Sequence, residues 1–123
     1  REGTTFGAFS LFLKPRDMAK IGQMLLQEGI WNGQQVVPPD WIELATQSYY
    51  EYRPWWVYGY YFWLSPFEEI DFFTASGHGG QRITVVPELD LVIVSTGWPY
   101  SKDELPYVED FHEVFMIIIE SCQ

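Results

Sequence analysis

The sequence is poor in basic residues, and this shortage excludes two classes of partner. Only 7 Lys and Arg stand against 17 Asp and Glu, so the formal net charge is −10 at pH 7. Nucleic acid and anionic membrane surfaces repel such a chain unless its basic residues cluster, and here they are spread along the sequence. We therefore predict no nucleic-acid partner and no binding to an anionic membrane surface.

Cysteine and histidine are also scarce, which argues against disulfides and metal sites. Cys122 is the single cysteine and has no partner for an internal disulfide, so we interpret it as an incidental thiol. His78 and His112 are the only histidines, too few for a zinc site. We predict no metal and no cofactor.

Long apolar runs are missing as well. No run approaches the roughly 18 apolar residues that cross a bilayer, and the first residues lack the apolar segment of a signal peptide. The prediction is therefore no membrane span. Because Arg1 is not a methionine, we expect the chain to be a processed product or part of something longer.

What the chain has in abundance is apolar and aromatic material. Apolar residues make up 47% and aromatic residues 19% of the 123 positions, which suits one packed domain rather than a disordered chain. A small domain cannot bury so many rings, so part of this surface should face a partner, either another part of a longer protein or a second copy. One aromatic group is a candidate ligand wall, although core or interface is the favoured interpretation: Trp55, Trp56, Tyr58, Tyr60 and Trp63.

Three segments have the signals of helices. Residues 15–27 repeat apolar residues at helical spacing, with Pro15 suited to the first position and Gly29 to the stop. A second, short helix should begin at Pro39 or Asp40 and run through Ala45. A third should begin at Lys102 or Leu105 and end near Glu120. Its apolar residues share one broad face: Val108, Phe111, Phe115, Ile118 and Ile119.

Between the second and third helices the pattern favours strands. We predict strands over residues 58–64, 72–76, 81–86 and 91–96, with a loop over residues 47–56. The connection over residues 87–90 is short, so the last two strands should form an antiparallel hairpin. The predicted fold class is α+β, an antiparallel sheet of three to four strands packed by the C-terminal helix and preceded by two helices. We predict one domain over residues 1–123, with residues 1–50 as the end of a helical region and residues 57–123 forming the sheet and last helix.

Three segments, in their order and spacing, resemble one protein family. They are PRDMAKIG at residues 15–22 followed by GIWNG at 29–33, VYGYYFW at 57–63, and SGHGGQ at 76–81 running into residues 85–94. The set is similar to the C-terminal part of the serine beta-lactamase-related family. That family includes class C beta-lactamases, D-alanyl-D-alanine carboxypeptidases, penicillin-binding-protein-like esterases and amide hydrolases such as aminohexanoate-dimer hydrolases. The resemblance covers nearly the whole chain from about Gly7.

This resemblance implies a fold, a reaction and a location. The fold would be part of a beta-lactamase/transpeptidase-like structure. In the reaction, a serine in Ser-x-x-Lys attacks an amide or ester carbonyl to form an acyl-enzyme, assisted by Tyr-x-Asn and by a third motif beside the serine. Many relatives are exported bacterial proteins, so a periplasmic or extracellular location is the expectation. The N-terminal part of the same protein would be a partner.

The first two motifs of the family are absent. Three residues before the lysines stand Leu11, Asp17 and Pro99, so no Ser-x-x-Lys exists. The only asparagine is Asn32, and Ile30 two positions earlier rules out Tyr-x-Asn. Lys-Thr-Gly is missing too. We therefore predict that the chain has no catalytic nucleophile and is inactive by itself.

Only the third motif has a counterpart, in Gly77, His78, Gly79, Gly80 and Gln81. The resemblance implies that this segment lies on an edge strand and that the N–H of His78 or Gly79 helps to hold an oxyanion. Glycine would let the backbone approach a substrate closely, and the His78 side chain would contact a substrate carbonyl or carboxylate. The alternative is that a glycine-rich turn is only a turn.

Two functions remain open from the sequence. One is the C-terminal part of a serine hydrolase. The other is a non-catalytic binding module that associates through its aromatic surface, including with a second copy of itself. The acidic residues Glu68, Glu69 and Asp71 look like a paired-carboxylate or metal site, but a solvated face is the favoured interpretation.

Overall fold

Three helices and eight strands build the described part of the chain. The computed structural model describes residues 11–53, 56–64, 70–97 and 109–122. The helices are α1 (Pro15–Leu26), α2 (Pro39–Ala45) and α3 (Glu109–Cys122). The strands are β1 (Ile30–Trp31), β2 (Gln34–Gln35), β3 (Tyr50–Arg53), β4 (Trp56–Tyr58), β5 (Trp63–Leu64), β6 (Phe73–Ser76), β7 (Arg82–Val86) and β8 (Leu91–Ser95).

Six of these strands form one antiparallel sheet in the order β3-β4-β5-β6-β7-β8, and β1 pairs with β2 in a separate hairpin. Every strand in the sheet therefore lies beside its neighbour in sequence. The predicted α+β class is confirmed. Within the residues described, no helix is both long enough and apolar enough to cross a bilayer.

The structure confirms the proline and glycine signals that predicted where α1 and α2 begin and where α1 ends. Proline occupies the start of both helices, where a missing N–H leaves no acceptor unsatisfied. After α1 the chain turns at Gly29, which has a φ of +86°. A second turn, at Asn32 and Gly33 with φ of +50° and +75°, joins β1 to β2.

The sheet is covered by helices on both faces, and the strand register shows which side chains lie on each. Val85 pairs with Val92, and the next pair along, Val86 with Leu91, points to the opposite face. Helix α1 packs on the Val92 face, where a Cβ added to Gly22 would lie only 2.4 Å from Cγ1 of Val92. The sequence predicted only the C-terminal helix against the sheet. Helix α1 also reaches it because Gly22 lets its backbone come close.

Helix α3 covers the other face. Phe115 and Ile119 are each 2% exposed and pack with Ile70 and Val86 in the core. The predicted apolar face of this helix is therefore confirmed at these two positions. Val108 and the side chain of Phe111 lie outside the described residues, as does the predicted start of the helix at residues 102–105.

Two details of the predicted strands are wrong. The predicted strand over residues 58–64 is two strands, β4 and β5, because Gly59 donates its N–H to the carbonyl of Phe62 (2.8 Å) and closes a turn. The predicted loop over residues 47–56 contains β3, which pairs with β4. Tyr50 and its neighbour Glu51 in β3 are both exposed, so this part of the edge strand lacks the alternating burial that reveals a strand in a sequence.

Candidate functional site

The glycine-rich motif forms the turn between β6 and β7. Gly77 donates its N–H to the carbonyl of Gln81 at 2.8 Å, so His78, Gly79 and Gly80 form the loop. Gly79 and Gly80 have φ of +84° and +85°, a region that side-chain-bearing residues rarely adopt. The turn therefore needs its last two glycines for conformation.

Residues at the end of β8 hold this turn in place. The Ser95 hydroxyl donates to the carbonyl of Gly80 at 2.9 Å, and the side-chain amide of Gln81 donates to the carbonyl of Gly97. A Cβ added to Gly97 would lie 2.7 Å from the carbonyl oxygen of Gly79. Gly79 is buried by this contact, while the His78 side chain is exposed.

The motif does not lie on an edge strand, so that prediction is wrong. Both β6 and β7 lie inside the sheet, and the edges of the described sheet are β3 and β8. Three strands, β3, β4 and β5, lie beyond β6 in the sheet, whereas the sequence predicted only one strand there. The motif instead lies at the end of the sheet, where a turn projects past the strands.

Its position in a turn leaves several N–H groups outside the hydrogen-bond ladder of the sheet. In the described part of the chain, the N–H groups of His78, Gly79 and Gly80 donate to no backbone carbonyl. Adjacent amide donors on a fixed turn are the kind of group that stabilises a developing oxyanion. The Gln81 side-chain oxygen beside them is buried without a hydrogen-bond partner among these residues.

The contact between β8 and the turn is testable by adding one methyl group. We expect Gly97→Ala to displace the turn and to lower the free energy of unfolding by about 1 kcal/mol, because the new Cβ meets a backbone carbonyl. The amide NMR resonances of residues 77–81 should shift. Gly77→Ala is the control, since its Cβ would have no neighbour closer than 3.6 Å. Unchanged Gly79 and Gly80 resonances in Gly97→Ala would show that the contact does not position the turn.

Of the aromatic residues singled out from the sequence, those that the structure describes make ring contacts in two groups. Tyr58 and Trp63 contact each other with ring centroids 4.6 Å apart. Tyr60 instead stacks on Tyr49 at 4.5 Å and lies 5.9 Å from Trp41. Trp55 and the Trp56 side chain lie outside the described residues.

We call Trp41, Tyr49 and Tyr60 the tyrosine cluster. Its three residues are 51%, 46% and 40% exposed, respectively. The pKa of Tyr49 is raised above its ordinary value. The larger cause is partial burial, and the smaller cause is the neighbouring Tyr60 phenol. The sequence analysis missed Trp41 and Tyr49 because they are brought to Tyr60 by tertiary contacts, including the Tyr60 N–H bond to the Ala45 carbonyl.

A cavity of about 470 Å³ lies at the other end of the β6–β7 hairpin from the glycine turn. It is lined by Thr46, Ser48, Val57, Leu64, Asp71, Phe72, Phe73 and Pro87. Of the acidic residues noted in the sequence, Asp71 lines this cavity, whereas Glu68 and Glu69 lie outside the described residues. The His112 side chain also lies outside them, and Cys122 is exposed.

Comparison with solved structures identifies a protein of the same fold. The chain superposes on a putative 6-aminohexanoate-dimer hydrolase from Bacillus anthracis with a TM-score of 0.63 and 25% sequence identity. The match covers 88% of this chain but 28% of the hydrolase, so the chain spans under a third of that protein's length. No protein-family profile and no curated protein sequence matches. The chain therefore has part of the beta-lactamase-like serine hydrolase fold.

Proposed function

We propose that this chain is the C-terminal part of a beta-lactamase-like serine hydrolase that cleaves an amide or ester. One observation supports this most directly: a hydrolase of that fold matches 88% of the chain, while the chain accounts for 28% of the hydrolase. The remaining part of such a protein would supply the nucleophile. That division agrees with a sequence that has no Ser-x-x-Lys and no Tyr-x-Asn.

In this proposal the glycine turn serves the acylation step. A serine oxygen from the rest of the protein attacks the substrate carbonyl carbon, a base takes the serine proton, and the carbonyl oxygen becomes an oxyanion. The N–H of His78 or Gly79 and the N–H of the attacking serine donate to that oxyanion. The intermediate collapses to an acyl-serine as the protonated amine or alcohol leaves, and water then hydrolyses the ester.

Two features of the turn suit this role. The N–H groups of His78, Gly79 and Gly80 form no backbone hydrogen bonds within the described residues, so they are free of the strand ladder. The contacts from Ser95 and Gly97 fix the turn before substrate arrives. Such preorganisation matters, because losing one oxyanion donor costs about 10²–10³-fold in turnover.

The isolated chain should therefore be inactive. We expect the purified chain to hydrolyse neither nitrocefin nor p-nitrophenyl acetate above the buffer rate, because no activated nucleophile is present. Incubation with a fluorophosphonate or penicillin probe should leave its intact mass unchanged. A stoichiometric mass increase on any residue would contradict the proposed division of the site.

The decisive experiment concerns the longer polypeptide. The coding DNA upstream of Arg1 should continue in frame and encode Ser-x-x-Lys followed by Tyr-x-Asn. The longer product should then take up one equivalent of fluorophosphonate on that serine, and a serine-to-alanine variant should take up none. An upstream region without these motifs would refute the proposal even if the fold assignment stands.

A second candidate function is a binding module without catalysis, and the tyrosine cluster favours it. A Trp and two Tyr with 40% or more of their surface exposed form a ready aromatic contact surface. This function is consistent with self-association. Sedimentation velocity would then show a dimer that Trp41→Ser converts to monomer, whereas a monomer at all concentrations would remove self-association from consideration.

A further inference from the structure

The cavity at the far end of the β6–β7 hairpin has a continuous apolar floor. Val57 pairs with Leu64, and Leu64 pairs with Phe73, so these three side chains lie in one row on one face of the sheet. The row continues through Val85 to Val92, which helix α1 covers. Helix α1 packs on β7 and β8, and the cavity lies over the part of the same face formed by β4, β5 and β6.

The polar residues of the cavity present oxygen acceptors. Asp71, an exposed residue that lines the cavity, carries a carboxylate. The Thr46 hydroxyl already donates its hydrogen to the carbonyl of Ile42 at 2.9 Å, so it offers only lone pairs to a ligand. The Ser48 hydroxyl is the third polar group of the lining.

No basic residue of this chain lines the cavity in the part that the structure describes. The ion pair found among those residues, between Lys20 and Asp17, lies on α1. Among the described residues, Asp71 therefore has no Lys or Arg partner at the cavity. The chain as a whole carries a net charge of −10. Both the local and the overall charge favour a cationic ligand over a neutral or anionic one.

We propose that this cavity binds a small molecule in which an apolar or aromatic group carries a primary ammonium. An ammonium has three N–H donors and no acceptor, which suits a lining whose polar side chains are one carboxylate and two hydroxyls. The apolar group would lie on Val57, Leu64 and Phe73. A volume of about 470 Å³ is within the range of small-molecule sites. This site is separate from the glycine turn and does not depend on the proposed hydrolase function.

Three probes of similar size but different charge test whether binding requires a positive charge: phenethylammonium, 2-phenylethanol and phenylacetate. Each is titrated into the full chain at pH 7 and followed by amide NMR. We expect phenethylammonium to bind at least about tenfold more tightly than the alcohol, since a charge-assisted hydrogen bond replaces a neutral one. Phenylacetate should not bind. The shifted resonances should be those of Thr46, Ser48, Leu64 and Phe73.

Two variants with matched loss of charge complete the test. Asp71→Asn should reduce the affinity for phenethylammonium about tenfold and leave that for 2-phenylethanol unchanged. Asp17→Asn removes a carboxylate from α1, outside the cavity, and should change neither affinity. Ser48→Ala, at an exposed position, should weaken ammonium binding by a smaller factor and serves if Asp71→Asn does not fold.

The proposal is overturned by any of three results. Equal affinity for the ammonium and the alcohol would show that the acceptors play no part. An equal loss of ammonium affinity in Asp17→Asn would show that the loss in Asp71→Asn reflects only the general attraction of a cation to an acidic chain. Failure of the cavity resonances to saturate with phenethylammonium would show that the cavity is not a binding site.

Discussion

Replacing Ile119 by alanine is expected to lower the free energy of unfolding by about 2–5 kcal/mol. Ile119 is 2% exposed on α3 and packs with Phe115, Val86 and Ile70 in the core of the sheet. The substitution removes three side-chain carbons and leaves a cavity that a packed core fills only partly. Since small domains are stable by only about 5–15 kcal/mol, this variant should be close to unfolding at 37 °C.

The matched control is two residues away. Ile117 is 63% exposed on the same helix, so Ile117→Ala removes the same atoms from a position in contact with water. Urea denaturation followed by circular dichroism should show a change within about 0.5 kcal/mol for Ile117→Ala. Equal losses in the two variants would mean that α3 is not packed on the sheet by the face that the structure assigns to it.

Gly59→Ala is expected to cost about 3 kcal/mol, the second largest effect. A Cβ at this position would lie 2.2 Å from the carbonyl oxygen of Ala45 at the end of α2. Backbone cannot move aside as a flexible side chain does, so α2 would have to separate from the turn between β4 and β5. That separation would also break the hydrogen bond from the Tyr60 N–H to the Ala45 carbonyl, which is 2.9 Å long.

The measurement for Gly59→Ala is again urea denaturation, combined with hydrogen exchange. Exchange at the Tyr60 amide should become faster, because its acceptor moves away. Gly77→Ala makes the same chemical change where the nearest atom would be 3.6 Å from the new Cβ, and it should stay within about 0.5 kcal/mol of the parent. If Gly59→Ala were as stable as Gly77→Ala, the contact between α2 and the turn would have no energetic role.

Much of the secondary structure could be predicted from the sequence, because its signals are local. Proline at the start of α1 and α2 and glycine after α1 mark helix ends within a few residues, whatever the rest of the chain does. The hairpin of β7 and β8 follows from the short connection that begins with Pro87. The apolar face of α3 at Phe115 and Ile119 follows from helical spacing.

The failures share one physical cause. The local periodicity of apolar residues in the sequence does not determine which strands pair with each other. Tyr50 and Glu51, the residues of β3 whose burial is described, are both exposed, and β4 and β5 are too short to reveal the turn between them. The expectation of an edge strand at the glycine motif came from the family resemblance, whereas β6 and β7 lie inside the described sheet. The structure instead has the alternative, a glycine-rich turn between two strands, in which Gly79 and Gly80 have positive φ.

By itself, the sequence determined the helices, the β7–β8 hairpin, the acidic charge and the absence of a nucleophile motif, all of which depend on neighbouring residues or on counting. Only the tertiary structure decided that β8 holds the glycine turn through Ser95 and Gly97, and that Asp71 lies over a floor of Val57, Leu64 and Phe73. These residues are distant in the chain. They meet because sheet register and helix packing, which minimise exposed apolar area over the whole domain, bring them together.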